Sequence, residues 1–403
     1  MLNINYRRRL SVLLLASGVL CLAGASAGEP GLSLHYEYFK DANDVYSYTP
    51  GFDVIMNLTK NWKASISAEV DGVTGASRTA SVTAQDGVTR ASKIPTLVDG
   101  ITGASKFEFR KSQTTHLTYS NAGDVVSLGY YTSTENDYFS SAPMLDVAKD
   151  FFDRNTTIGG SVSYYDDKFV NPDVNLQGSA DKNLISTQVS ITQSLTPLTL
   201  VSGSVQRIHS WGYLSKPYNP VVIKVQNPTD DEIYSLHPEV LPNLKTARVL
   251  AASLVQGYTF IPDRLGSLRI NYRYYFDDWA LKSHTMDAEW SQYLSDGLYL
   301  RLRYRYYTQT RAEFIYANYA GTETYLSSDI KYYPFTSRTF GVKLAGQFPD
   351  DWTDNIWWIP SAWNVKCDYS VRNTKGDANL YQFYAPTSNY NQISIMTGVD
   401  YAF

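Results

Sequence analysis

Three short runs place charged side chains at every second residue. Arg269, Asn271 and Arg273 alternate with Leu268, Ile270, Tyr272 and Tyr274. Asp287 and Glu289 alternate with Met286, Ala288 and Trp290. Arg301, Arg303 and Arg305 alternate with Leu300, Leu302, Tyr304 and Tyr306. On extended strands that spacing puts each charged set on one face. Adjacent strands would then carry positive, negative and positive columns about 4.8 Å apart. Two chemistries are open to such columns. One is a salt network that only stiffens a wall. The other is a constriction with excess positive charge that selects anions.

Other reactive side chains form no catalytic pattern. There is no G-x-S-x-G elbow, H-E-x-x-H pair, phosphate-binding loop or haem-attaching C-x-x-C-H. His35, His116, His209, His237 and His284 are scattered, and only His209 and His237 share a long loop where a metal pair is conceivable. Asp71, Asp86 and Asp99 each precede a Gly in a triple repeat: VDGVTGAS at Val70–Ser77, DGVTRAS at Asp86–Ser92 and VDGITGAS at Val98–Ser105. They are weak calcium candidates, since Asp-Gly steps more often make turns. The expectation is a non-enzyme without cofactor or metal.

The elements that position these residues follow from patterning. Arg7, Arg8 and Arg9, an apolar stretch to about Ala23 and the small residues Ala25-Ser26-Ala27 read as a secretory signal, residues 1–27. A lipoprotein reading at Cys21 is disfavoured by bulky Leu20. Removing that segment takes the formal charge from −4 to −7 and leaves Cys367 as the one cysteine. A nucleic-acid partner and an intramolecular disulfide are thereby disfavoured. Thirty-three Tyr and eight Trp, with no later stretch near the 18 apolar residues of a spanning helix, leave an all-β chain.

Residues 28–403 alternate in period two. The last strand puts Ile393, Ile395, Thr397, Val399, Tyr401 and Phe403 on one face. Trp62–Val70, Phe340–Gly346 and Trp363–Tyr369 repeat the rhythm, the last with Cys367 on the apolar face. Runs of about 9–12 residues suit a tilted bilayer crossing. The expected fold is all-β, a single transmembrane antiparallel β-barrel of about 16 strands, up to about 18, in an outer membrane. Short turns at Thr59–Asn61, Asn121–Asp124, Thr196-Pro197 and Ser295–Gly297 are expected on the periplasmic side. Long loops at about Gly72–Ser112, Asp166–Asn183, His209–Lys245 and Phe348–Pro360 are expected outside. Tyr401 and the terminal Phe403 resemble the signal read by barrel-assembly machinery. The expected partners are that machinery and outer-membrane lipid.

Several stretches carry a family resemblance: the two TGAS repeats, TSTENDYFS at Thr132–Ser140, RNTTIGGSVSYYDD at Arg154–Asp167 and GYLSKPYN at Gly212–Asn219. INYRYYFDDWALKSHT at Ile270–Thr285, LRYRYYTQTRAEFIY at Leu302–Tyr316, SSDIKYYPFTSRTFGVK at Ser327–Lys343 and the final Phe complete the set. Together they resemble the outer-membrane family catalogued as domain of unknown function 3570. The family usually follows TGAS with Pro, where this chain has Arg78 and Lys106. The resemblance implies a barrel and an outer-membrane address, with no established activity. It also implies a neighbourhood of thioredoxin-like and flavin-bearing proteins, hence a periplasmic or envelope redox system. Three functions follow as expectations: a channel or transporter for small polar solutes, a non-transporting scaffold for such redox partners, and a barrel-wall enzyme.

Overall fold

The computed structural model describes residues 30–41, 45–74, 107–169, 180–216, 221–225, 233–316, 319–349, 352, 358–374 and 390–402. The expected signal segment, Asp86, Asp99, Arg78, Lys106 and Phe403 lie outside them.

Alternation of apolar and polar residues produces long strands: β1 Gly31–Asp41, β2 Tyr46–Asn57, β3 Trp62–Thr74, β4 Phe107–Asn121, β5 Asp124–Thr134 and β6 Tyr138–Phe151. They continue as β7 Thr156–Phe169, β8 Ala180–Thr196, β9 Thr199–Gly212, β10 Val221–Val225, β11 Ile233–His237 and β12 Leu244–Ile261. The last are β13 Arg264–Asp277, β14 Lys282–Tyr293, β15 Leu298–Gln309, β16 Phe335–Gln347, β17 Ala362–Thr374 and β18 Tyr390–Ala402. Sixteen of these form one closed antiparallel barrel, and β10 and β11 pair separately as a small hairpin. Closure is made by β1 against β18, from Gly31↔Ala402 to Asp41↔Gln392.

The barrel is inverted relative to a soluble protein. Outward residues such as Leu268, Ile270 and Tyr272 on β13, Leu302 and Tyr304 on β15, Phe340 and Val342 on β16, and Val365 and Tyr369 on β17 are exposed. The same holds around the ring, through Val126 and Leu128, Val189 and Ile191, and Leu34 and Tyr36. So continuous an apolar belt is stable only against lipid. The inner face is polar, with Ser127, Ser133, Ser140, Asp146, Asp167 and Asp287 all buried. Sixteen strands leave a lumen too wide for side chains alone to fill.

The links at one rim are tight. Ala122 and Gly123 both take positive φ, 48° and 95°, in the two-residue turn between β4 and β5, the geometry that matches strand twist. This rim holds Gly31 and Ala402 and the short turns expected on the periplasmic side.

One expected outer loop is on the wrong side. Residues 348–361 join the lower ends of β16 and β17, at the rim of the short turns. Phe348 N–H donates to Ser361 O at 3.0 Å and Ser361 N–H to Asp400 O at 2.7 Å, fixing the link beneath β18. Length misled because this link carries exposed Trp352 and Trp358, side chains that favour a bilayer interface on either face. At the other expected loops the strands run further than their bounds allowed, β3 to Thr74, β7 to Phe169 and β9 to Gly212, and these strand ends lie at the opposite rim.

Candidate functional site in the barrel lumen

The charged residues singled out by spacing converge on one sector of the inner wall. Pairing aligns Arg269↔Glu289↔Arg303 and Asn271↔Asp287↔Arg305 across β13, β14 and β15. Asp287 is 5% exposed and its Oδ2 accepts three bonds, from Arg303 Nε and Nη2 at 3.0 and 2.7 Å and Arg305 Nε at 2.7 Å. Glu289 lies 3.6 Å from both Arg269 Nη1 and Arg301 Nη1. The structure thus brings Arg269, Asp287, Glu289, Arg301, Arg303 and Arg305 together, with Asp287 bonded to Arg303 and Arg305 and Glu289 beside Arg269 and Arg301.

The sector extends further than the candidate set. Gly341 stands opposite Arg303 on β16, and a Cβ there would meet Asp368 Oδ1 at 2.2 Å. Through that gap Arg303 Nη1 reaches Asp368 Oδ2 on β17 at 3.5 Å, across an intervening strand. One step down, Arg301↔Lys343↔Lys366 sets three cations side by side on β15, β16 and β17. Lys366 is paired with Asp368 at 2.8 Å; Lys343 has no carboxylate partner among the described residues. Arg273, also inward, has the Tyr275 ring 5.7 Å from its guanidinium carbon. Lys343 and Lys366 lay on polar faces legible in the sequence, but 25 residues of loop between β15 and β16 hid their adjacency.

A second sector is acidic. His35 Nδ1 and Nε2 lie 3.5 and 3.4 Å from Asp53 and Glu69, meeting across Gly51 of β2. His35 and Glu69, with Glu37, Asp71 and Glu135, line a hollow of about 440 Å³. Asp71 is held by Arg110, whose Nε donates to Oδ2 at 2.6 Å. That explains its burial without calcium. Between the two sectors, β8 and β9 present Gln188, Ser190, Ser202, Ser204 and Gln206 in register.

Above the basic sector residues 213–216, 221–225, 233–243, 278–281, 310–316 and 319–334 fold into a cap. Leu241, Trp279, Ala312, Phe314, Ile315 and Tyr333 form one apolar cluster, and Val221, Ile223, Tyr319 and Leu326 another. Trp279 packs edge-on against Phe314 and Tyr332, at 5.3 and 5.6 Å, and Lys245 Nζ sits 4.4 Å over its ring. Inward-facing Gln309 donates to Lys331 O and Tyr333 O at 2.7 and 2.6 Å, tying the cap to the lumen mouth. Its polar heart is Glu239, 4% exposed, which accepts from the Lys216 amide at 2.6 Å and from Ser327 Oγ. Lys216 Nζ bonds Asp329. Burial pushes the Glu239 carboxyl up to about 7, against the lowering effect of those two bonds. Burial also works to raise Asp329, but the Lys216 ammonium and the Lys331 amide outweigh it and hold that carboxyl low.

Other candidates resolve simply. His209 is on β9, bonding Thr246 Oγ1 at 2.9 Å and stacked 5.5 Å from Trp211, while His237 ends β11. They form no pair, and the described residues contain no cluster of metal-ligand side chains. Tyr401 pairs with Leu32 across the barrel seam.

The stretches that carried the resemblance meet here. Gly212–Lys216, Ile270–Thr285, Leu302–Tyr316 and Ser327–Lys343 build the cap and much of the basic sector. Among solved structures, a bacterial polysaccharide outer membrane secretin is similar at 9% identity and TM-score 0.47, covering 93% of this chain and 99% of that one. A BenF-like porin from Pseudomonas fluorescens Pf-5 is similar at 8% identity and TM-score 0.44, covering 94% and 100%. Pseudomonas aeruginosa OccK2 (OpdF), in complex with glucuronate, is similar at 8% and 0.41, covering 93% and 98%. No curated protein matches the sequence. The family model described as "Protein of unknown function (DUF3570)" matches residues 14–177 and 169–358, and the chain belongs to that family.

Proposed function

We propose that this barrel is an aqueous channel for small polar solutes, with its charge divided into lanes. The observation that carries this reading is the separation of charge around the inner wall. In β13–β17 the inward cations Arg269, Arg273, Arg301, Arg303, Arg305, Lys343, Lys366 and Arg372 outnumber the inward carboxylates Asp277, Asp287, Glu289 and Asp368, and Asp277 is held by Lys245 of β12. In β1–β4, Glu37, Asp53, Glu69 and Asp71 face Arg110 and His35. Anionic groups are drawn along the first wall and cationic groups along the second, so net ion preference in the wild type is weakly anionic.

The test replaces Arg301, Lys343 and Lys366 with Ser and measures zero-current potential across a planar bilayer in a salt gradient. A unit charge about 5 Å from an ion in water is worth about 0.8 kcal/mol. Losing three such charges lowers the anion-to-cation permeability ratio several-fold and turns the channel cation-preferring. An unchanged ratio in a conducting variant removes the charge assignment. A folded wild type that passes no current removes the channel reading and favours a scaffold.

A further inference from the structure

Between the neutral and basic walls the lumen holds a recess of about 300 Å³. It exists because three strands of this wall turn short side chains inward at one level: Ser202 and Ser204 on β9, Ala251 and Ser253 on β12, and Thr285 on β14. Longer side chains stand at its two edges. Gln188 and Gln206 rise on one side, Arg273 and Arg269 on the other.

The two edges differ in chemistry. Gln206 Nε2 donates to Ser186 Oγ at 2.9 Å. Ser253 donates to Asn271 Oδ1 at 2.6 Å. These hydroxyls and amides can exchange donors and acceptors with ligand hydroxyl groups. Arg273 is different. Its neighbour Arg269 shares Glu289, and Arg305 is bound to Asp287, but Arg273 has no carboxylate partner among the described residues. Its planar fork fits a carboxylate with two parallel bonds.

Ser204, Ala251 and Arg273 lie in one register row on β9, β12 and β13. The serine and the arginine are therefore two strand spacings apart, about 10 Å. We propose that this recess binds a hydroxylated monocarboxylate of sugar-acid size, its carboxylate on Arg273 and its hydroxyls against Ser202, Ser204 and Gln206. The proposal rests on the lumen being water-filled and adds a ligand class to the channel reading.

The experiment is calorimetric titration of the folded barrel in detergent with gluconate, hexanoate and glucose. Gluconate should bind at least tenfold more tightly than either comparator, because hexanoate lacks the hydroxyls and glucose the charge. Arg273→Gln should abolish the preference over glucose, and Ser204→Val with Gln206→Leu the preference over hexanoate. Equal affinity for all three ligands in the wild type overturns the proposal without any variant. So does gluconate binding that survives Arg273→Gln in protein whose heat-modifiable migration shows it folded. Titration needs no conduction, so a barrel that binds gluconate but carries no current keeps this inference and loses the channel reading. One that conducts without binding does the reverse.

Discussion

The buried Glu239 makes the cap a pH-dependent element, and its substitution by Gln isolates the effect. The carboxyl is raised from 4.5 to about 7 by burial in the closed cap. An opened cap returns it to water and to its ordinary value. Between those two values the closed form holds the extra proton, so closing is favoured on the acid side and weakens as pH rises. The raised value spans about 2.5 pH units, which amounts to about 3 kcal/mol, complete below pH 4.5 and lost by about pH 7. Asp329 contributes with opposite sign, but its carboxyl is held below 3.8 and is already ionised in both forms over that window. The reporters are the amides of Val240 and Leu326, each bonded to the other's carbonyl, at 3.0 and 2.9 Å, where the two loops cross. Their hydrogen-exchange protection, corrected for intrinsic rate, should fall about 100-fold from pH 5 to pH 8. In Glu239→Gln the protection should be flat with pH. A flat profile in the wild type, or an unchanged slope in the variant, would refute the reasoning.

Gly341→Val drives a methyl-bearing carbon into Asp368 and against Arg303 Cβ, 3.3 Å away. Overpacking of this kind should cost about 1–3 kcal/mol in urea-induced unfolding from lipid, and an unaltered midpoint would mean that the Arg303–Asp368 contact is incidental. Cys367 is outward beside exposed Val342 and Ile395. A water-soluble maleimide should therefore label it slowly in intact membranes and quickly after unfolding, and fast labelling of the folded barrel would mean a register slip.

The wall was legible because strand period is two and sidedness follows directly from it. Arg269, Asp287, Glu289 and Arg303 needed only that rule and the order of consecutive strands. Lys343 and Lys366 needed knowledge that β16 returns beside β15 after a loop whose length says nothing about where it lands. The cap was less legible still. Leu241, Trp279, Phe314 and Tyr333 have no common period; they come together from three loops. Asp277 Oδ1 accepting from the Trp279 and Leu281 amides at 3.1 and 3.0 Å is a local turn that could have been read in FDDWAL, but its partner surface could not. The side of segment 348–361 was not legible, because the length of a link carries no information about which rim it closes.

The seam between β1 and β18 has a kinetic consequence. Ser33 Oγ donates to Asp400 Oδ1 at 2.6 Å across 367 residues of sequence. Bringing such distant ends together costs about 5 kcal/mol of chain entropy before any return, by the logarithmic loop law. The rest of the ring is made of neighbours in sequence apart from the excursion through β10 and β11, so the strands can zip as local hairpins while the last contact waits. Until β18 arrives, β1 and β17 each present a bare edge, and within hydrocarbon every unmet backbone group costs several kcal/mol. A product lacking β18 therefore has no sealed intermediate to rest in: insertion and ring closure become a single late event, and the final thirteen-residue strand decides whether the preceding fifteen enter the bilayer at all.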